Sequence, residues 1–142
     1  MDKLGKSTKG EPMHYSVGAI IKKDNKYLLI DRTNPPLGFA SIAGHIDEAE
    51  TPEQALLREV QEEGGLVVLS HKLLTEEELD WNLCSRGIKV HYWHVYECEV
   101  KGDLHRNEQE TKSAGWFTKS EIGRLALEPA WKYWFQKLGI IE

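Results

Sequence analysis

Residues 44–66 read GHIDEAETPEQALLREVQEEGGL, and this stretch decides the fold. Thr51, Pro52 and Gln54 predict the start of a helix. Thr51 can cap the helix, Pro52 suits its first position, and Gln54 completes a capping box. The glycines at 64–65 predict its end, because glycine readily takes the left-handed conformation that closes a helix. The rest of the chain is interpreted outward from this helix.

Three carboxylates share one face of the predicted helix. Residues three and four positions apart are neighbours, so Glu59 lies beside both Glu62 and Glu63. At about 100° per residue the three fall within roughly a 100° arc, where their charges repel. A solvated acidic face is one explanation; a divalent cation with oxygen ligands, Mg²⁺ or Mn²⁺, is the other. The apolar residues on the neighbouring arc, predicted to enter the core, are Leu56, Leu57 and Val60.

The full spacing resembles the Nudix box. In that signature a glycine is followed by five residues, a glutamate, seven residues, Arg-Glu, an aliphatic, any residue, Glu-Glu, any residue, a glycine and an aliphatic. Every specified position is filled between Gly44 and Leu66. Nine constrained positions at fixed spacing form a specific signal, which favours metal binding over a solvated face. His45 and Ala49 stand at unspecified positions where the family frequently has glycine.

The resemblance implies the Nudix fold, an α/β/α sandwich with a mixed, partly curled β-sheet. We expect a single domain over residues 13–142 behind a flexible leader of residues 1–12. The implied activity is that of a MutT-like pyrophosphohydrolase, the metal-dependent hydrolysis of a nucleoside diphosphate linked to another group. The first expectation is a (deoxy)nucleoside triphosphate, split into the monophosphate and pyrophosphate.

Three alternatives to this substrate expectation follow from the same resemblance. ADP-ribose or a dinucleoside-type substrate is the second expectation. The family arm that isomerises isopentenyl diphosphate uses a cysteine near the loop, and residues 41–45 contain none. A non-catalytic nucleotide-binding regulator is expected to have a damaged box, and this box is intact.

The resemblance also implies roles for individual residues. The expected metal site consists of Gly44, Glu59, Glu62 and Glu63. The expected catalytic residues are Arg58, Glu62, Glu63 and Glu110. Glu110 is chosen because it precedes Trp116-Phe117, as a late-loop glutamate of the family does. Its expected role is that of a fourth metal ligand or of the base. Glu108 is the competing candidate. Glu50 is expected to brace the loop through Arg58. The expected substrate-binding residues are Arg32, His45, Trp81 and Trp93, each with a purely structural role as its alternative.

Composition limits the function classes. The chain has 142 residues and a net charge of −5, which disfavours a broad basic surface for duplex nucleic acid and leaves a small nucleotide as the expected partner. A homodimer is left open. No apolar run reaches membrane-spanning length. Cys84 and Cys98 are too few for a disulfide framework, so free thiols and a cytoplasmic location are expected.

Strand patterns surround the central helix. The predicted strands are 15–21, 27–31, 66–74, 88–100 and 116–117, with a solvated charge run at 75–78 and a polar loop at 104–115. Alternation along 88–100 puts His91 and Trp93 on one face and His94 and Tyr96 on the other. A final helix opening at Pro129 is predicted, with an apolar stripe of Trp131, Trp134, Phe135 and Leu138.

Overall fold

The computed structural model describes residues 1–142, which form one mixed eight-stranded sheet with helices on both of its faces. The strands are β1 (Leu4–Lys6), β2 (Pro12–Lys23), β3 (Lys26–Arg32), β4 (Phe39–Ala40), β5 (Ile42–His45), β6 (Val67–Leu79), β7 (Val90–Lys101) and β8 (Thr111–Phe117). The helices are α1 (Pro52–Gly64), α2 (Lys119–Ile122) and α3 (Pro129–Lys137). None of them combines the length and the apolar composition that crossing a membrane requires.

Strand β2 is the element on which the sheet is assembled. One edge of β2 pairs in parallel with β7, and His14 lies opposite His91 in this ladder. The other edge pairs antiparallel with β1, β5 and β3 in turn. His45, at the end of β5, lies opposite Ser16. The β2 edge therefore brings His14 and the β5–α1 connection to the same part of the sheet.

Two apolar clusters fill the space between the sheet and the helices. On one face, Leu56 and Val60 of α1 pack with Tyr96 and Cys98 of β7. On the other face, Trp93 of β7 packs with the aromatic residues of α3. The alternation predicted along β7 is thus confirmed, because a strand sends successive side chains to opposite faces. The architecture is the predicted α/β/α sandwich.

Helix α1 begins and ends at the predicted signals. The Thr51 hydroxyl accepts a hydrogen bond from the Gln54 amide at 3.1 Å, and the Gln54 side chain accepts one from the Thr51 amide at 2.9 Å. Gly65 closes the helix with φ 64°. The prediction that Leu57 enters the core is wrong, since Leu57 is 46% exposed. The buried arc of α1 is centred between Leu56 and Glu59, which leaves Leu57 at its rim.

The predicted flexible leader differs from the structure. Residues 4–6 form β1, which pairs with residues 12–14 of β2. The Lys3 amide also donates to the Ile46 carbonyl at 2.8 Å. β5 pairs with β2 only from Ser16 onward, so the preceding edge of β2 has free backbone groups, and an unpaired edge favours the addition of another strand.

Two strands extend further than the sequence pattern predicted. β6 continues through the charged residues 75–78 to Leu79, pairing with β7 throughout. β8 begins at Thr111 and pairs with β3, whereas the prediction placed a strand only at 116–117. In both cases a neighbouring strand supplies the backbone partners, which side-chain patterns at a solvent-facing strand do not reveal.

Candidate active site

A polar cleft of about 310 Å³ lies beside the N-terminal end of the β5–α1 connection. Its walls come from β5, α1, the segment after β3, the connection between β6 and β7, and the loop before β8. The ionisable side chains that line it are Arg32, His45, Glu59, Glu63, Cys84, Arg86, His91, Glu110 and Glu128. The cleft therefore collects ionisable groups from seven separate parts of the chain.

Two box carboxylates reach this cleft from the buried side of α1. Glu59 and Glu63 are only 9% and 7% exposed. Gly44 lies against Glu59, and a Cβ atom at position 44 would overlap its carboxylate. The loop backbone can approach the carboxylate this closely only because residue 44 is glycine.

The protonation equilibria of these carboxylates are strongly displaced. Burial raises the pKa of Glu59 to about 7, although Arg58 opposes that change. Burial, followed by contact with Glu110 and the charge of Glu59, raises the pKa of Glu63 to about 9. The Oε2 atom of Glu63 is buried without a hydrogen-bond partner. Crowded carboxylates with an unsatisfied oxygen fit a divalent cation with oxygen ligands, which would supply the missing counter-charge.

Arg58 fixes the loop and one of the carboxylates. Its guanidinium donates to both oxygens of Glu50, at 2.7 and 2.8 Å, to Glu59 at 2.7 Å and to the His45 carbonyl at 3.0 Å. Glu50 also accepts from the Asp47 amide at 2.9 Å. The structure thus has the brace between Glu50 and Arg58 that was expected. Arg58 does not line the cleft, and these contacts are those of a residue that positions the loop and Glu59.

Glu62 differs from its two neighbours. Its side chain is 51% exposed, and its partner is Arg58 Nη1 at 3.4 Å. It does not line the cleft. The three carboxylates share an arc as predicted, but the cleft meets only the part of that arc that carries Glu59 and Glu63. Glu62 therefore lies at the edge of this carboxylate group, and its metal and catalytic roles stay predictions.

The loop before β8 contributes Glu110 and not Glu108. Glu110 lines the cleft, and its carbonyl accepts from the Thr33 amide at 3.0 Å. Its own amide donates to the Asn107 carbonyl at 3.2 Å. Glu108 is exposed and outside the cleft. The geometry thus favours Glu110 as the carboxylate that faces Glu63.

The four expected substrate-binding residues have different positions. Arg32 lines the cleft, and its Nε donates to the Pro36 carbonyl at 2.8 Å. His45 lines it as well. Trp93 reaches the wall but is 6% exposed, and its indole nitrogen donates to Asn82 at 3.0 Å, so its ring is not free to stack on a base. Trp81 lies outside the cleft, half-exposed beside the ring of Tyr133, and its expected role in substrate binding lacks support.

Several cleft residues were not identified from the sequence. Glu128 is 3% exposed, caps α3 by accepting from the Ala130 amide at 3.0 Å, and has its pKa raised by burial. Proline is favoured at the first position of a helix, so Pro129 predicts a capping residue at position 128. This local signal could have identified Glu128. Cys84 and His91 also line the cleft, and His14 lies beside them. His14 and His91 come together through strand pairing, for which the sequence has no local signal.

Comparison with known proteins agrees with the fold. The model of the NUDIX domain matches residues 12–138. An ADP-ribose pyrophosphatase from Methanocaldococcus jannaschii is 46% identical over 116 residues, which are 80% of this chain and 66% of that protein. A CTP pyrophosphohydrolase from Escherichia coli is 30% identical over 117 residues, 80% of this chain and 82% of that protein.

A solved structure shares the architecture. The MutT NUDIX hydrolase from Burkholderia pseudomallei has a TM-score of 0.75 with this chain, at 24% identity, over 85% of this chain and 94% of the other. The chain belongs to the NUDIX family, and both the expected family and the expected fold are confirmed. The chain spans 66% of the length of the M. jannaschii relative.

Proposed function

We propose that this chain is a metal-dependent Nudix pyrophosphohydrolase that cleaves the phosphoanhydride of a nucleoside diphosphate linked to another group. The observation that carries the proposal is the set of three carboxylates in one polar cleft: Glu59 and Glu63, both buried, and Glu110, which contacts Glu63. Nudix hydrolases generally use divalent metals, and we propose Mg²⁺ or Mn²⁺ here because all three side chains offer oxygen ligands.

The chain's own residues would divide the work as follows. Glu59 and Glu63 would hold the cation, with Glu59 fixed by its hydrogen bond from Arg58. When bound, the cation would neutralise the diphosphate and lower the pKa of an attached water. Glu110 sits on the loop opposite Glu63 and is the proposed base for that water, because a base must lie within hydrogen-bond reach of the proton it accepts. Arg32 would bind a phosphate oxygen at the cleft wall.

The proposed substrate class has two members. ADP-ribose is the first choice now, because the relative named as an ADP-ribose pyrophosphatase is 46% identical over 80% of this chain. A nucleoside triphosphate is the second choice, supported by the 30% identical CTP pyrophosphohydrolase. Both substrates carry the phosphoanhydride that the acidic cleft would bind through a cation.

A panel assay tests the proposal. Purified protein is incubated with ADP-ribose, the common (deoxy)nucleoside triphosphates and dinucleoside polyphosphates, with Mg²⁺ or Mn²⁺ or with neither, and the products are separated by ion-exchange chromatography. The proposal expects AMP and ribose 5-phosphate from ADP-ribose, only when the cation is present. Binding of these nucleotides without cleavage of any of them would favour a non-catalytic regulator instead.

A pair of variants makes the panel more specific. Glu63→Gln keeps the size of a cleft residue and removes its charge, whereas Glu62→Gln makes the same change on the exposed side of α1. The proposal expects loss of turnover in the first variant and only a small effect in the second. The opposite ranking would transfer the proposed metal site to Glu62.

A further inference from the structure

Three histidines and one cysteine meet beside the cleft, and three of these four residues line it. They are His14 of β2, His45 at the end of β5, His91 of β7 and Cys84 of the connection between β6 and β7. One potential ligand atom from each residue lies within 4.8 Å of those of the other three. The Cys84 sulfur and the His14 Nδ1 atom are 3.8 Å apart. The four residues come from four different segments, so only the folded chain brings them together.

His91 has a particular need for a partner. It is 2% exposed, and neither Nδ1 nor Nε2 has a hydrogen-bond partner of normal geometry, although the backbone of Lys89 and Asn82 lies near the ring. A buried polar group without a partner is destabilising, because it has lost its hydrogen bonds to water. The protein supplies no hydrogen bond of normal geometry that offsets this cost. Coordination of a metal ion by one ring nitrogen would remove part of it.

We propose that His14, His45, His91 and Cys84 form a tetrahedral binding site for one Zn²⁺ ion. Zinc takes four imidazole nitrogen and thiolate sulfur ligands at roughly 2.0–2.3 Å, so neighbouring ligand atoms stand about 3.3–3.6 Å apart. The present separations, up to 4.8 Å, are about 1.2–1.5 Å wider than this at most. Small side-chain rotations would therefore complete the geometry without a change of backbone.

The donor set separates this site from the carboxylate site in the same cleft. Imidazole and thiolate ligands select zinc and related transition metals, whereas carboxylates suit Mg²⁺ and Mn²⁺. Neutral imidazole is the form of histidine that binds a metal, and His14 and His91 are buried, which favours that form.

Asp2 completes the surroundings of the site. Its Oδ2 atom lies 2.9 Å from His45 Nδ1 and 3.8 Å from His14 Nε2. A carboxylate on the far nitrogen of a ligating histidine fixes the ring and strengthens the ligand. Asp2 therefore leaves Nε2 of His45 and Nδ1 of His14 as the nitrogens available to the ion.

Binding is a balanced exchange that involves no oxidation. The Sγ–H bond of Cys84 breaks, a Sγ–Zn bond forms, and the proton goes to the buffer. The single thiolate charge leaves one positive charge on the ion and its ligands, beside the ion pair of Asp2 with Arg86. The ion would tie the connection between β6 and β7 to three strands of the sheet, so the wall formed by Asn82, Ser85 and Arg86 would be held in place.

Metal analysis tests the proposal directly. The full chain is purified without a histidine tag, incubated with excess ZnCl₂, desalted and measured by inductively coupled plasma mass spectrometry. One zinc per chain is expected. Cobalt replacement should give the near-ultraviolet band of a thiolate–Co²⁺ bond together with the visible bands of tetrahedral Co²⁺. Zinc well below one equivalent, or a cobalt spectrum without the thiolate band, would overturn the proposal.

Variants identify the ligands. Cys84→Ser should weaken zinc binding by at least about a hundredfold and abolish the thiolate band, since even the loss of an outer-shell partner costs about 10–100-fold. Cys98→Ala is the matched control, because it removes the other thiol and should keep both the zinc and the band. Glu63→Gln should also keep the zinc, which separates this site from the carboxylate cluster. Equal zinc affinity in Cys84→Ser and the original chain would exclude Cys84 as a ligand.

A stability measurement covers the case in which a variant folds poorly. Zinc should raise the Tm of the unmodified chain, because an ion that binds only the folded state stabilises it. Asp2→Asn leaves all four ligands in place and should reduce the zinc affinity by about 10–100-fold. A Tm that does not respond to zinc would contradict the proposal without recourse to any ligand variant.

Discussion

Glu63→Gln should make the metal-free protein more stable at high pH. Glutamine keeps the size of the buried side chain and removes its ability to ionise. In the unmodified chain, burial and the neighbouring Glu110 and Glu59 raise the pKa of Glu63 from its usual 4.5 to about 9. A group whose pKa is raised on folding contributes stability below its unfolded pKa and loses it as the pH rises through the folded value. The stability of the unmodified chain should therefore decline between pH 4.5 and pH 9 relative to the variant.

The size of this effect follows from the pKa shift. One proton held by the folded state changes the free energy of unfolding by at most about 1.4 kcal/mol for each pH unit. The carboxylate faces an open cleft, and solvent screens part of its interaction with the neighbouring charges. After that discount we expect Glu63→Gln to gain about 1–3 kcal/mol over the unmodified chain between pH 5 and pH 9.

Urea unfolding followed by tryptophan fluorescence measures this difference, since the chain has five tryptophans. Both proteins are unfolded at pH 5, 7 and 9 in metal-depleted buffer and again with Mg²⁺. Mg²⁺ should stabilise the unmodified chain at pH 9, by about 2.7 kcal/mol at a hundredfold excess over its Kd, and should stabilise the variant far less. Parallel pH dependence of the two proteins without metal would refute the assignment of a displaced, buried carboxylate at position 63.

Three further substitutions test other parts of the cleft and of α1. Gly44→Ala should push the Glu59 carboxylate out of place and reduce turnover by roughly a hundredfold, the usual consequence of an error of about 1 Å, with circular dichroism as the check on folding. Glu110→Gln should slow turnover while Glu108→Gln leaves it unchanged, and the reverse ranking in the nucleotide assay would assign the role to Glu108. Val60→Ala should lower the free energy of unfolding by about 1–3 kcal/mol and Leu57→Ala by less than about 1 kcal/mol, as measured by urea unfolding; equal losses would contradict the burial difference.

The sequence was most informative where structure depends on neighbouring residues. The capping box at Thr51, the glycine end of α1 and the alternation along β7 are local patterns, and the structure has all three. The resemblance of residues 44–66 to the Nudix box then supplied the family and the sandwich. Each of these features is a fixed spacing or a short period within neighbouring residues. Distant contacts are therefore not needed to predict them.

The missed features depend on distant contacts. Helical spacing grouped Glu59, Glu62 and Glu63, but only the packing of α1 on the sheet decides that Glu62 points to solvent. The meeting of His14 with His91 follows from the parallel register of β2 and β7, and no nearby residue specifies that register. β1 forms because the start of β2 has an edge that β5 does not cover. The polar composition of the N-terminal residues does not predict this strand.

The central claim is tested most directly by the Mg²⁺-dependent rate of ADP-ribose cleavage. This rate is compared between the unmodified chain and Glu63→Gln, with both proteins holding the same amount of zinc. That claim is that the buried carboxylates of α1, with Glu110, hold the cation that hydrolysis requires. The predicted result is Mg²⁺-dependent release of AMP by the unmodified chain and a fall of at least about a hundredfold in the variant, since the lost ligand acts on the transition state. Equal rates in the two proteins, or full turnover by the unmodified chain in the absence of Mg²⁺ and Mn²⁺, would contradict it.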